Sequence, residues 1–478
     1  MRGWTLLATS LGFAVVQLDV SVVNVAITPI GADLGGGVGA LQWVVNAYTL
    51  AFAGLILTAG ALGDRTGAKR VFVAGFALFT LASAACGLAP DLGVLVAARA
   101  VQGIGAAVLM PCSLTLLNHA YPTTRERARA IGLWSAGAST ALSAGPLVGG
   151  LLTTTLGWRA IFFINAPIGL AGILLTVRHA TETSRSAGRG VDLPGQATAV
   201  LTLTALAAAM IEGGTRGFTD PLVLAAFAVA VLAGAAFLVV EARSARPMLP
   251  LTLFRAPSFG PASAIGLLVN VAFYGLLFVL SLFFQRAQHH SALATGLAFA
   301  PMTVAIIAAN LTASRFGGRR PIVLGALLMV AGCAGLLGFG AAAPYPALVA
   351  QLVALGFGLG LIVPAMTAAL LGGVARERSG VASGALNTAR QTGSVLGVAL
   401  FGALVARPGS LVSGWHVALL ISIGLLLMIM VVAGRVGPSG RVDPKSTVDA
   451  EGPSAVHGDQ QAADRAVPRR RLRPADPR

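Results

Sequence analysis

The sequence predicts an all-α membrane protein of 14 transmembrane helices, built as two six-helix bundles with an inserted helix pair. Three observations carry that expectation. Of 478 residues, 56% are hydrophobic and 10% charged, with a mean hydropathy of +0.82, whereas a soluble domain carries about 25% charged residues. Fourteen stretches come close to the roughly 20 apolar residues that a spanning helix needs. Lys and Arg crowd into alternate loops between them.

Taken in order, the stretch 6–30 is too long for the apolar core of a signal peptide and is followed by further spans, so it reads as helix 1. The stretch 41–63 runs into a basic loop, from which 71–89 departs. Next comes 93–117, and the loop behind it carries Arg125, Arg127 and Arg129. The stretches 131–156 and 160–178 are parted by a short connection with Arg159. After Arg178, Arg185 and Arg189, the stretches 193–212 and 221–240 form a pair around Arg216. The second half runs 259–284, 292–314, 321–341, 344–373, 384–405 and 413–435. Its basic loops hold Arg315, Arg319 and Arg320, then Arg376 and Arg378. Beyond Arg435 the chain turns polar and rich in Pro, Arg and Asp, the composition of a disordered tail.

With both termini in the cytoplasm, the inner loops, the N-terminus and the tail hold 27 of the 33 Lys and Arg, and the outer loops hold four. That is a strong positive-inside pattern, and one helix more or fewer would scramble it. The formal net charge of +16 is therefore chiefly a record of orientation. It does not imply a nucleic-acid partner. The expected organisation is an N-terminal bundle over 1–178, two inserted helices within 179–258, a C-terminal bundle over 259–435 and a cytoplasmic tail over 436–478. Cys86, Cys112 and Cys333 sit in apolar runs and read as small hydrophobes. His289 and His290 have no third ligand nearby, so no metal site is expected. No phosphate-cradling loop or nucleophile elbow is present, so neither ATP-driven pumping nor enzyme chemistry is expected.

A weak internal repeat supports paired bundles. The loop Gly60-Ala-Leu-Gly63-Asp64-Arg65-Thr-Gly67-Ala-Lys69-Arg70 and the loop Ser314-Arg315-Phe316-Gly317-Gly318-Arg319-Arg320 are both basic hairpins with Gly. Related halves with a site between them are a common transporter design. The first loop resembles the signature of the major facilitator superfamily. Further stretches resemble its fourteen-helix drug:proton antiporter branch: Leu18-Asp19 to Asn24 in helix 1, Arg99 to Gly105 in helix 4, Gly145-Pro146-Leu-Val-Gly149-Gly150 in helix 5, Trp158 to Gly169 leading into helix 6, and Ser383 to Gln391. The resemblance spans all fourteen helices and leaves out the tail. It implies proton-coupled efflux of drugs or antibiotics across the cell membrane by alternating access. No cofactor beyond the proton gradient is implied. A monomer carrying small apolar or cationic drugs is expected. The rival readings are a metabolite or nutrient symporter on the same scaffold and a non-transporting membrane receptor.

Asp19 is the sole acidic residue deep in any span, and a carboxylate there is a functional candidate by default. It is expected to serve proton coupling, to neutralise Arg99, or both. Gln17, Ser21, Asn24 and Thr28 share the opposite face of helix 1, so Asp19 and that stripe cannot both face one cavity. Gln17, Ser21, Asn24, Gln102, Asn387, Arg390 and Gln391 are the expected substrate path. Gly60, Asp64, Arg65, Gly67, Lys69 and Arg70 are the expected cytoplasmic latch, and Gly145, Pro146, Gly149 and Gly150 the helix-5 gate. The aromatic residues Phe273, Tyr274, Phe278, Phe283 and Phe284 read as packing before they read as a drug-binding wall.

Overall fold

The computed structural model describes residues 2–183, 192–244, 247–313, 318–340, 342–374, 379–407 and 409–436. The tail and the second basic hairpin, at 314–317, lie wholly or partly outside the described residues. Among the described residues every regular element is helical. Fourteen spans appear: α1 Arg2–Leu34, α2 Val38–Thr66, α3 Ala68–Gly87, α4 Leu92–Ala120, α5 Thr124–Leu156, α6 Ala160–His179, α7 Leu193–Arg216, α8 Pro221–Arg243, α9 Phe259–Ala287, α10 Ala292–Thr312, α11 Arg320–Leu337, α12 Tyr345–Gly372, α13 Ser379–Leu404 and α14 Leu411–Ala433. Each falls on one of the fourteen stretches expected from hydropathy.

Helix ends are set by capping side chains. Asp91 accepts from Val94 N, Asp192 from Gly195 N, and Ser291 from Ala294 N. Each satisfies a backbone donor that the helix itself leaves unpaired. Twelve of the helices are long and apolar enough to cross a membrane on hydropathy alone. The two others, α5 and α13, are as long but dense in Gly, Ala, Ser and Thr. Small residues permit close helix approach where the bilayer offers no hydrophobic drive for association. Their composition fits their place, because α5 and α13 each pack closely on a helix of the other half.

The packing repeats. In the first half α1 packs on α4, α5 and α6, α4 on α2 and α3, and α3 on α6. The same pairings recur with every number raised by eight: α9 on α12, α13 and α14, α12 on α10 and α11, and α11 on α14. The halves meet through α2 against α13 and α5 against α10, which the same shift exchanges. Helix α7 lies on both α2 and α13. Helix α8 packs on α7 and is the least buried span, with Leu224, Val231, Leu232 and Leu238 all exposed as on a lipid-facing surface.

Candidate functional site

Two features stand out: a fully buried ion pair inside the first six helices, and a cavity open at one end between the halves.

Asp19 on α1 and Arg99 on α4 are each 1% exposed. Arg99 Nη1 donates to Asp19 Oδ2 at 2.5 Å and to Gln102 Oε1 at 2.7 Å, and its Nε donates to the Val44 carbonyl at 3.1 Å. The second Asp19 oxygen accepts from Gln102 Nε2 at 2.9 Å and from Asn165 Nδ2 at 3.0 Å. Ser83 Oγ accepts from both amides and donates to the Phe162 carbonyl at 2.9 Å. The guanidinium lies 4.3 Å from the Tyr48 ring centroid, in cation–π range. A buried ion pair is tolerable only where further hydrogen bonds satisfy both partners. Here α2, α4 and α6 supply them, and Ser83 of α3 holds the two amides in place.

The network answers the question of helix 1. Asp19 faces α3, α4 and α6, inside its own bundle. The opposite face meets α5 of the same half and, further along, α9 of the other half. Ser21 packs on α5 at Gly145, where a Cβ would collide with its hydroxyl. The Asn24 carbonyl accepts from Ser281 Oγ of α9 at 2.6 Å, and the Val25 carbonyl accepts from Gln285 Nε2 at 3.0 Å. Gln17 is half-buried.

These bonds belong to a seal. Gln42 Nε2 of α2 donates to the Val398 and Ala399 carbonyls of α13, at 2.7 and 2.9 Å. Leu293 N of α10 donates to Thr154 Oγ1 of α5 at 3.1 Å, and deeper in, Thr303 Oγ1 donates to the Ser143 carbonyl at 2.8 Å. Gly149 packs on the Val22 backbone, Gly150 on that of Ala292, and Gly296 returns the contact on the Pro146 carbonyl. The expected gate residues thus form a close junction of α5 with both α1 and α10. The seal occupies the end opposite the N-terminus and the mid-depth of the molecule.

The other end is open. A cavity of about 390 Å³ is lined by Ile56, Leu57, Thr58, Gly60 and Asp64 of α2, Met110, Pro111 and Leu114 of α4, Trp134 of α5, Asp192, Met248, and Ser383, Gly384 and Asn387 of α13. Its size suits a drug-sized ligand, and its wall is mostly apolar with a few polar groups. Of the expected path residues, Asn387 lines it. Arg390 stands one turn deeper against Gly266 of α9, its Nε buried without a hydrogen-bond partner, and Gln391 beside it is half-buried. Gln102 does not line the cavity: it is fully buried and belongs to the ion-pair network. Ser21 and Asn24 are likewise buried, in the seal. The aromatic residues of α9 are core, and none lines the cavity.

At the mouth, Gly67 (φ +105°) turns the chain from α2 into α3. Sequence reasoning missed what holds this hairpin. Glu182, just past α6, accepts from Lys69 N at 3.0 Å, and Thr183 Oγ1 accepts from Ala68 N at 2.9 Å. Arg70 Nε lies 3.7 Å from Glu182 Oε2, and Lys69 Nζ donates to the Val177 carbonyl. A carboxylate on free backbone donors at a helix start is favourable. Gly60 and Asp64 also line the cavity, while Arg65 is exposed.

A family model described as Major Facilitator Superfamily matches residues 9–398 and 263–472. The chain is 41% identical over 407 residues to the methylenomycin A resistance protein of Streptomyces coelicolor, covering 84% of this chain and 86% of that one. It is 34% identical over 411 residues to the tetracenomycin C resistance and export protein of Streptomyces glaucescens, covering 85% and 76%. Among solved structures, a bacterial homologue of the human drug peptide transporters PepT1 and PepT2 superposes with a TM-score of 0.65. That match has 16% identity and covers 91% of this chain and 97% of the other, a likeness of fold alone.

Proposed function

The chain belongs to the major facilitator superfamily, and from that premise we propose that it exports antibiotics or other drugs from the cell in exchange for protons. The single observation that carries the reading is the one-ended cavity, closed by the α1–α9, α2–α13 and α5–α10 seal. By the distribution of basic residues, its open end faces the cytoplasm. A substrate enters there from the cytoplasm or the inner leaflet. The two halves then rock, the seal opens outward, and the cavity closes behind the substrate. The apolar wall with Trp134, Met110 and Met248, and the carboxylates Asp64 and Asp192, favour apolar or cationic substrates over anions.

Proton coupling rests on Asp19. In this inward-open arrangement it is paired with Arg99 and shut off from the cavity. Protonating it would remove the charge that holds Arg99, leaving the guanidinium to find other acceptors among α2, α3, α4 and α6. The packing of the first half then differs between the two protonation states, which is the bistability that alternating access requires. In cells expressing the protein, energised efflux of a lipophilic dye should exceed that of control cells, and an uncoupler should abolish the difference. Asp19→Asn should abolish it as well. Full uncoupler-sensitive efflux by Asp19→Asn would exclude Asp19 from coupling.

A further inference from the structure

The cavity has one wall that belongs to neither six-helix bundle. Beyond α8 the chain returns toward α9 through Pro247-Met248-Leu249-Pro250, and Pro247, Met248 and Pro250 line the cavity alongside α2, α4 and α13. The two prolines fix their own φ and hold the residues before them extended. Along an extended chain successive side chains point to opposite sides, and this segment follows that rule. Met248 looks into the cavity, while Leu249 packs on the buried cluster of Leu253, Phe259 of α9, Leu370 of α12 and Leu386 of α13. With proline at both ends, the segment has backbone donors only at Met248 and Leu249. The Leu249 N–H goes to Glu241, in the last turn of α8: Oε2 accepts it at 3.0 Å, and Glu241 is 3% exposed. A buried backbone donor left without an acceptor is costly, so losing Glu241 would free the segment. Leu249 thus ties the wall to the second half, and Glu241 ties it to the inserted pair. At the same end α7 is tied to the first half, where Gln196 accepts from Thr58 Oγ1 and donates to the Gly54 carbonyl of α2.

We propose that this segment is the part of the substrate site that sets which drugs are exported, with Met248 touching the drug and Glu241 acting as a positioning residue through the Leu249 N–H. The proposal rests on the export of drugs through this cavity. Methionine is unbranched and polarisable, moulds to partners of different shape and contacts aromatic rings favourably. Met110 of α4 and Trp134 of α5 line the same cavity. Together the three side chains suit a flat aromatic drug. The prolines restrict the backbone, so adaptation to a given drug falls to the Met248 side chain. The shift by eight that relates the two bundles gives this connection no counterpart, so its residues can change without disturbing the packing that both halves share. This gives the inserted helices a role in substrate choice.

The test uses inside-out membrane vesicles holding the full-length chain, with ethidium, a flat aromatic cation, as the probe. Met248→Cys should react with a membrane-impermeant maleimide, and ethidium at about ten times its Kd should slow that reaction about tenfold, as occupancy requires. Leu251→Cys, 36% exposed and outside the cavity wall, should react equally fast with and without ethidium. The native cysteines are buried and stay silent. In energised transport of ethidium, Glu241→Leu should raise KM about fivefold or more while the maximal rate holds within about twofold, as expected for lost binding. Glu241→Gln, which keeps an acceptor oxygen, should recover most of that loss. Should Met248→Cys or Glu241→Leu fail to fold, Met248→Trp still decides: it narrows the cavity and should raise KM about fivefold or more. Labelling of Met248→Cys unaffected by ethidium, equal slowing at Leu251→Cys, or an unchanged KM in Met248→Trp would each overturn the proposal. A lower maximal rate with unchanged KM in Glu241→Leu would overturn its positioning role. Energised ethidium export by the wild type with an unprotected Met248→Cys leaves export standing and removes this wall from the site, whereas no energised export by the wild type would overturn both readings.

Discussion

At the scale of single residues, the centre of the account is the Asp19–Arg99 pair. Both charges are buried and answer each other, so removing one side leaves the other charged and uncompensated. Breaking such a pair costs about 3–5 kcal/mol. Arg99→Ala should therefore lower the unfolding temperature in detergent far more than a substitution at exposed Arg65, and Asp19→Ala with Arg99→Ala together should cost less than the sum of the two. Additive costs would show that the side chains do not interact. That the two would meet was legible in the sequence, because an acid and a base deep in apolar spans need partners. Gln102 was legible as a polar residue but not as a member of this network. Ser83, Asn165 and Tyr48 left weaker signals: neutral polar residues are affordable in a span, and their convergence depends on which helices pack together. Glu182 was hidden for the same reason, since it meets the Gly67 turn only through the fold.

At the scale of elements, the apolar stretches read together with the basic loops located all fourteen helices, but not which of them cross between halves. The informative signal lay in composition: α5 and α13 are poorer in large apolar residues because they pack backbone to backbone. Gly150 is a direct test of that junction. A leucine there would have to push α10 away from α5, because even a Cβ meets the Ala292 and Leu293 backbone. Gly150→Leu should hold the seal open. A cysteine introduced at Ser281 should then label faster from outside, and dye efflux should fall at least tenfold. Unchanged labelling and unchanged efflux would mean the α5–α10 junction is not part of the outer gate. The native cysteines are buried and should stay silent in such labelling.

At the scale of the whole molecule, the repeated pairings give two halves related by one shift in helix number, bridged on one side by α7. Orientation follows from charge, and an impermeant thiol reagent checks it. Thr219→Cys, between α7 and α8, should label in intact cells, and Thr123→Cys, between α4 and α5, should label only after permeabilisation. The reverse pattern would turn the open end of the cavity to the outside and contradict the inward-facing assignment. The central claim, exchange of drug for proton, is tested most directly in proteoliposomes with no imposed energy source. The protein is reconstituted and a substrate gradient alone is applied across the membrane. Internal pH is then followed with a trapped dye. The account predicts proton movement opposite to the substrate, abolished by Asp19→Asn. Proton movement in the same direction as the substrate, or none while substrate still crosses, would contradict it.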